Sequence, residues 1–139
     1  MIRPLQSHNK LLEDIRASNL CDGSFRLWWL GQSGFLLQWN GVHVLLDPYL
    51  SDTLTKKYSQ TDKPHVRMTE RVVEPAQLSF ADIAVSTHNH TDHLDAETLG
   101  PIISRNPILS LSGRKPAGMS DIGAFEIAFD EGSNRAARV

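Results

Sequence analysis

The sequence predicts an α/β (α+β) domain in which a β-sheet is flanked by helices. Two segments of alternating apolar and polar residues are joined by Asn40-Gly41, the strongest short-range signal for a β-hairpin. A helical apolar pattern precedes them, and a short apolar run at residues 83–85 leads through a polar tract into a capped helix. With 139 residues, the chain is long enough for one domain that buries about two-thirds of its unfolded surface.

The first elements follow from local pattern. Ser7 is a suitable N-cap for a short helix that carries Leu11, Leu12 and Ile15 on one face. Residues 24–30 and 35–39 alternate as strands with one buried face. Residues 42–46 form the returning strand after Asn40-Gly41, so the three strands make an antiparallel meander.

The second part of the chain is less regular. Residues 51–75 are polar and weakly periodic, which predicts a long loop, and a short helical turn follows at residues 75–78. Residues 82–87 read as a buried strand. Asp95 is a good N-cap for the next helix, which Gly100-Pro101 is expected to kink or split.

The C-terminal region gives two further strand patterns and a polar end. We expect strands at residues 107–111 and 124–129, within a domain that spans residues 1–129. Residues 130–139 have almost no apolar content and predict a disordered tail.

Composition narrows the class of protein. Hydrophobic residues make up 40% and charged residues 22%, and 14 basic against 16 acidic residues give a net charge of −2. This balance does not favour binding to nucleic acid. The single cysteine, Cys21, excludes an internal disulfide, and no segment has the apolar length of a membrane span. A cytoplasmic location is expected.

The most informative feature is the tract at residues 88–93, which contains three of the six histidines. Its candidate ligands are His88, His90, Asp92 and His93, and imidazole and carboxylate groups bind divalent metals at neutral pH. Residues two apart in an extended segment point the same way, so two adjacent ions could share the four side chains. His88 and His90 would hold one ion, and Asp92 and His93 the other. The alternative is a polar loop whose histidines cluster in solvent without metal.

At these residues the sequence resembles the metallo-β-lactamase superfamily, whose signature is His-x-His-x-Asp-His. The segments at residues 27–37 and 44–49 agree with this resemblance. They are similar to the branch that contains ascorbate phosphate lactonases and N-acylphosphatidylethanolamine phospholipases D. The resemblance covers residues 25–112 and implies the N-terminal half of an αββα sandwich with a mixed sheet.

The resemblance implies a metal-dependent hydrolase with a small-molecule substrate. Two zinc ions are expected, with manganese or iron as alternatives, and a hydroxide held by the metal would attack an ester, lactone or phosphodiester. Asp92 would bind metal and also accept a proton from the attacking water.

Two residues outside the tract are assigned supporting roles. The resemblance implies that Asp47 orients the metal loop without binding metal, whereas the plain alternative is an Asp-Pro turn. Arg67, in the long polar loop, is the first candidate to pair an anionic group of the substrate. The alternative for Arg67 is a charge on a solvated loop.

The resemblance also implies ligands that this chain lacks. No histidine follows His93, so each ion would receive two protein ligands where a catalytic zinc usually has three. We therefore expect an incomplete active site on the N-terminal half of a domain, from a fragment, a truncated product or one partner of a split protein. A complementing C-terminal half or a homo-oligomer would complete the site. The alternative function is a non-catalytic remnant or interaction module that binds metal weakly.

Overall fold

The computed structural model describes residues 1–18, 23–106 and 109–113. Their strands form one mixed sheet in the order β1-β2-β3-β4-β5, flanked by helices. The strands are β1 (Phe25–Gly31), β2 (Gly34–Trp39), β3 (Val42–Leu46), β4 (Ile83–Ser86) and β5 (Ser110–Gly113). The helices are α1 (His8–Ala17), α2 (Thr53–Tyr58) and α3 (Ala96–Arg105), with a 3-10 turn at Pro75–Leu78. The predicted fold class is confirmed.

The predicted meander is present with a regular register. Strand β1 pairs antiparallel with β2, and β2 pairs antiparallel with β3. Asn40 and Gly41 both have positive φ, at 46° and 82°, as a two-residue hairpin turn requires. The hairpin signal in the sequence therefore fixes which side chains share a face.

The sheet changes direction at β4, which pairs parallel with β3 and with β5. Parallel neighbours bring their carboxyl ends to the same edge of the sheet. Asp47, directly after β3, and Thr87, directly after β4, therefore lie at one edge. The sheet positions both residues next to the tract at residues 88–93.

One face of the sheet is covered by helices. Leu30, Leu36, Leu45 and Ala84 from β1 to β4 belong to a single buried cluster. The helices supply further members of this cluster, namely Leu11, Leu12 and Ile15 from α1, with Leu99 and Ile102 from α3. This core holds β3, β4 and α3 together.

The opposite face is apolar and largely open. Phe25, Leu27 and Trp29 on β1 are 64%, 52% and 51% exposed, and Trp39 on β2 is 54% exposed. Phe25 lies opposite Trp39, which lies opposite Val42, so these side chains form a continuous row. Within the part of the chain that the structure describes, no helix covers this row.

Two local predictions were wrong. The polar segment after residue 50 contains helix α2, whose apolar residue Leu54 is buried. Helix α3 continues through Pro101 as one run of ten residues, so the expected split at Gly100-Pro101 is wrong, and the alternative of a kink there stays a prediction. A proline at this position removes the donor for the carbonyl of Glu97. Because Glu97 is exposed, water can satisfy that carbonyl.

Some predicted segments fall outside the described residues. These are the strand at residues 124–129, the tail at residues 130–139 and the first part of the strand predicted at residues 107–111. In the described ranges, none of the helices has the length and apolarity that a membrane crossing requires.

The turn between β1 and β2 depends on Gly31. Its φ is +87°, and a Cβ added there would collide with the side-chain oxygen of Thr69. We predict that Gly31→Ala lowers the free energy of unfolding by about 2–5 kcal/mol, from the left-handed conformation and the overlap together. Urea denaturation followed by circular dichroism measures this loss.

The matched control is Gly23→Ala. Gly23 has a similar φ of +79°, but an added Cβ would have no heavy atom within 4 Å. This variant should lose only the conformational part, about 1–2 kcal/mol. Equal losses for the two alanine variants would contradict the role of the Thr69 contact.

Candidate metal centre

The tract at residues 88–93 lies between β4 and α3, at the carboxyl end of the parallel strands. Its backbone folds back on itself, because the amides of His93 and Leu94 both donate to the carbonyl of His90, at 2.9 and 2.8 Å. Asp95 then caps α3 by accepting a hydrogen bond from the Thr98 amide at 3.1 Å, as predicted. This compact turn brings side chains that are up to five positions apart into contact.

The three imidazole rings of the tract pack together. The ring centroids of His88 and His90 are 4.6 Å apart, and those of His88 and His93 are 3.9 Å apart. His88 Nε2 lies 3.1 Å from His90 Nδ1. His93 Nε2 lies 3.5 Å from Asp92 Oδ2, and the Asp92 side chain is 41% exposed. The four candidate ligands therefore form two pairs, His88 with His90 and Asp92 with His93. The two pairs meet where the rings of His88 and His93 pack together.

The spacing within each pair suits a shared divalent ion. Zinc binds histidine nitrogen at about 2.0–2.1 Å in tetrahedral geometry, so two ligand atoms on one ion lie roughly 3.3 Å apart. The observed separations of 3.1 and 3.5 Å bracket this value. Among the residues that the structure describes, no three His, Cys, Asp or Glu side chains are arranged to hold one ion. The donors that the described residues offer to a metal therefore come as two pairs, each short of the three protein ligands that a catalytic zinc usually has.

Asp47 connects the ends of β3 and β4 to the tract. It has a positive φ of 44°, and its amide donates to the carbonyl of Val85 at 2.8 Å. Its Oδ1 accepts from the Thr87 amide at 2.7 Å, and its Oδ2 accepts from the Thr87 hydroxyl at 2.8 Å. The same Oδ2 lies 2.9 Å from His93 Nδ1. Asp47 thus contacts His93, a candidate ligand, through the ring nitrogen that does not face Asp92.

The environment of Asp47 favours its ionised form. Burial by itself would raise the pKa of this carboxyl group. Hydrogen bonds from the Thr87 amide, the His93 ring and the Thr87 hydroxyl, together with the charge of His93, outweigh burial and lower the pKa below its ordinary value. An ionised Asp47 can accept hydrogen bonds but cannot donate one.

Three hydroxyl residues near the tract were not predicted from the sequence. The Ser86 hydroxyl donates to the His93 carbonyl at 2.8 Å, and the Ser33 hydroxyl donates to the carbonyls of Asp92 and Asp47. The Thr87 hydroxyl contacts Asp47, His88 and His93. One indication in the sequence places Ser86 and Thr87 near the tract, namely that they directly precede His88. Ser33 gives no signal beyond its place in a turn.

Arg67 does not lie in an open substrate pocket. It is 6% exposed, and its guanidinium donates to the backbone carbonyls of Thr69, Tyr49 and Ser51 at 2.9, 3.2 and 2.9 Å. Burial lowers the pKa of Arg67, although the nearby Asp52 acts in the opposite direction. These contacts correct our interpretation of Arg67, because they tie the long loop to the segment after β3 and leave its Nη2 buried rather than facing solvent.

The structure is that of an α/β domain that presents a histidine- and aspartate-rich tract at the carboxyl ends of parallel strands. Residues 26–135 match the family model described as the beta-lactamase superfamily domain. The chain belongs to this superfamily, which confirms the resemblance.

Curated relatives agree with the family. A mitochondrial N-acyl-phosphatidylethanolamine-hydrolyzing phospholipase D from Saccharomyces cerevisiae is 41% identical over 71 residues, 51% of this chain and 14% of the yeast protein. Probable L-ascorbate-6-phosphate lactonases from Escherichia coli and Shigella boydii are 27% identical over 109 residues, 67% of this chain and 31% of each relative. The chain therefore matches less than a third of the length of these relatives.

We predict a pH-dependent cost for Asp47→Asn. At pH 7 the variant should lose about 1–3 kcal/mol of unfolding free energy, because the donors from Thr87 and His93 lose an ionised acceptor. The folded-state pKa of Asp47 is lowered, so its stabilising effect is complete above the ordinary value of 3.8 and disappears as pH falls through the folded-state pKa. Urea denaturation from pH 7 to pH 3 should show the two stability curves converging below about pH 4.

The exposed Asp62 provides the control for this pH dependence. Asp62→Asn should leave the stability curve close to that of the wild type across the same range. A constant difference between the wild type and Asp47→Asn from pH 7 to pH 3 would contradict the assigned role of the Asp47 carboxylate.

Proposed function

We propose that this chain carries the metal-binding tract of a metal-dependent hydrolase. The observation that supports this most directly is the pairing of donors, with His88 Nε2 3.1 Å from His90 Nδ1 and Asp92 Oδ2 3.5 Å from His93 Nε2. His88 and His90 would hold one divalent ion, and Asp92 and His93 would hold a second. Zinc suits these ligands, and manganese or iron are the alternatives.

Bound divalent ions at such a site supply a nucleophile from water near neutral pH and polarise the group under attack. The residues of this chain contribute orientation and proton transfer. Asp92 is partly exposed beside His93, so its carboxylate can accept the proton of the attacking water. Asp47 holds the His93 ring from the opposite side and keeps its Nε2 directed to Asp92.

For the substrate we propose a phosphate-bearing ester or lactone. The names of two relatives specify hydrolysis of N-acyl-phosphatidylethanolamine and of L-ascorbate-6-phosphate. Both compounds carry a phosphate group, and both reactions attack a bond of ester type. A phosphate-bearing substrate is anionic, as expected from the sequence. Arg67 is not proposed to bind the phosphate, because its guanidinium donates to backbone carbonyls.

We further propose that residues outside these 139 complete the site. The described donors give two ligands to each ion, and the sequence contains no histidine after His93. A third ligand per ion, which a catalytic zinc usually has, would come from further residues of the same polypeptide, from a complementing chain or from a second copy of this one.

His90→Ala tests the metal site. Removing a residue that only supports a metal ligand typically lowers metal affinity roughly 10–100-fold. Because His90 is proposed as a ligand itself, we predict that this variant lowers zinc affinity by more than that. Isothermal titration of zinc into the metal-free chain measures the change. His43→Ala is the matched control. His43 lies on β3 and is buried against Phe80 and Asp82, so this variant should leave zinc affinity near the wild-type value. Equal losses for both variants would refute the ligand assignment.

Turnover tests the hydrolytic function itself. The chain is mixed with the part of the Escherichia coli lactonase that lies outside the matched region, and L-ascorbate-6-phosphate hydrolysis is followed. We expect turnover that is lost on chelation, restored by zinc or manganese and reduced by Asp92→Asn by at least about 100-fold. Retained metal without chelator-sensitive turnover, in the mixture and in the chain alone, would instead favour a non-catalytic metal-binding module.

A further inference from the structure

We propose that Thr87 is a positioning residue that places the ring proton of His88 on Nδ1. His88 Nε2 is then free to bind metal, whereas His90 must change tautomer to bind metal through its Nδ1. The observation behind this is the position of the Thr87 hydroxyl between Asp47 and the Nδ1 atoms of two candidate ligands. The inference rests on the proposed metal site, but its central element is a property of the metal-free chain.

The direction of the hydrogen bonds follows from counting protons. The Thr87 hydroxyl has one hydrogen, and Asp47 Oδ2 lies 2.8 Å away as an ionised group that can only accept. The hydroxyl therefore donates to Asp47. Its oxygen is left as an acceptor towards His88 Nδ1 at 3.1 Å, with His93 Nδ1 further away at 3.4 Å.

This arrangement determines the tautomer of His88. A neutral imidazole has one protonated nitrogen, and the nitrogen that faces an acceptor carries the proton. His88 thus carries its proton on Nδ1 and has a free lone pair on Nε2. His93 keeps a proton on Nδ1 for the same reason, because that atom lies 2.9 Å from the Asp47 carboxylate.

His90 has the opposite starting state. Its Nδ1 lies 3.1 Å from the bare Nε2 of His88, so the metal-free chain forms this hydrogen bond only if His90 donates from Nδ1. To offer that nitrogen to a metal, His90 must lose the proton from Nδ1 and gain one on Nε2, exchanging both with water. The ring stays neutral and releases no net proton. Among the three histidines, only His90 would have to rearrange its ring proton to hold zinc through the nitrogen that faces its neighbour.

A threonine suits this position because a hydroxyl is both donor and acceptor. Valine has a similar shape but offers neither function, whereas serine keeps both. Thr87→Val should leave His88 Nδ1 without an acceptor and allow the Nε2-protonated form, in which the lone pair is directed away from His90. Thr87→Ser should restore the wild-type behaviour.

The test is nitrogen–proton correlation NMR on the chain labelled in its histidine rings, at about pH 8.5, where an ordinary imidazole is neutral. In the metal-free wild type we expect protons on Nδ1 of His88 and on Nδ1 of His90. With zinc added, the His90 proton should appear on Nε2, and that of His88 should stay on Nδ1. Thr87→Val should convert His88 to the Nε2-protonated form and lower zinc affinity about 10–100-fold.

Thr91→Val is the matched control, since Thr91 is a threonine of the same tract, four positions further along. It should change neither the tautomer of His88 nor zinc affinity. An Nε2 proton on His88 in the metal-free wild type would overturn the proposal. So would a Thr87→Val chain, folded by circular dichroism, that retains the His88 tautomer, or a Thr87→Ser chain that fails to restore it.

The same spectra separate this inference from the proposed function. If Thr87→Val does not fold, the metal-free wild-type spectrum still decides where the His88 proton lies. A chain with the expected metal-free tautomers that does not bind zinc would support the Thr87 contact and refute the proposed metal-dependent function.

Discussion

The hydrogen bonds of the Asp47 carboxylate are the interactions on which the candidate site depends. This carboxylate lies where β3 ends and accepts hydrogen bonds from the amide and hydroxyl of Thr87, which follows β4, and from the ring of His93. Its own backbone amide donates to Val85, and its carbonyl accepts from Ser33 in the β1–β2 turn. One buried residue therefore connects three strand ends with a candidate ligand. Because the group is removed from solvent, each of these contacts is stronger than an exposed equivalent.

The sheet explains why this convergence occurs here. Parallel pairing of β3 with β4 brings Asp47 and Thr87 to the same edge, and the packing of α3 against the core fixes where the tract ends. Asp95 contributes twice, since it caps α3 through Thr98 and accepts a hydrogen bond from Thr53 at the start of α2. The helix that closes the tract is thus tied to the segment that follows Asp47. Packing and capping together fix the two ends of the backbone segment that carries the histidine rings.

The strands of the meander, strand β4 and the capped helix α3 could be predicted from the sequence because each depends on local pattern. The supporting role of Asp47 came from the family resemblance and stays a prediction. Asn40-Gly41 specifies a turn by its backbone preference, and alternation specifies which residues face the core. Arg67 was misassigned because its partners are backbone carbonyls at residues 49, 51 and 69, which leave no mark in the side-chain sequence. Helix α2 was missed because tertiary packing of Leu54, rather than a strong local pattern, supports a helix of six residues. The hydroxyls of Ser33 and Thr87 could not be ranked, since serine and threonine are common in turns.

The open face of the sheet has a practical consequence for handling the protein. Phe25, Leu27, Trp29 and Trp39 form a surface whose contact with water is unfavourable, at roughly 25 cal/mol for each Å². Sulfate and phosphate are excluded from protein surfaces and strengthen apolar association, whereas urea and guanidinium weaken it. Sulfate and phosphate are therefore expected to favour association through this face more than chloride does at the same ionic strength. Chloride buffers at low protein concentration should keep the purified chain dispersed, whereas ammonium sulfate should precipitate it early in a fractionation.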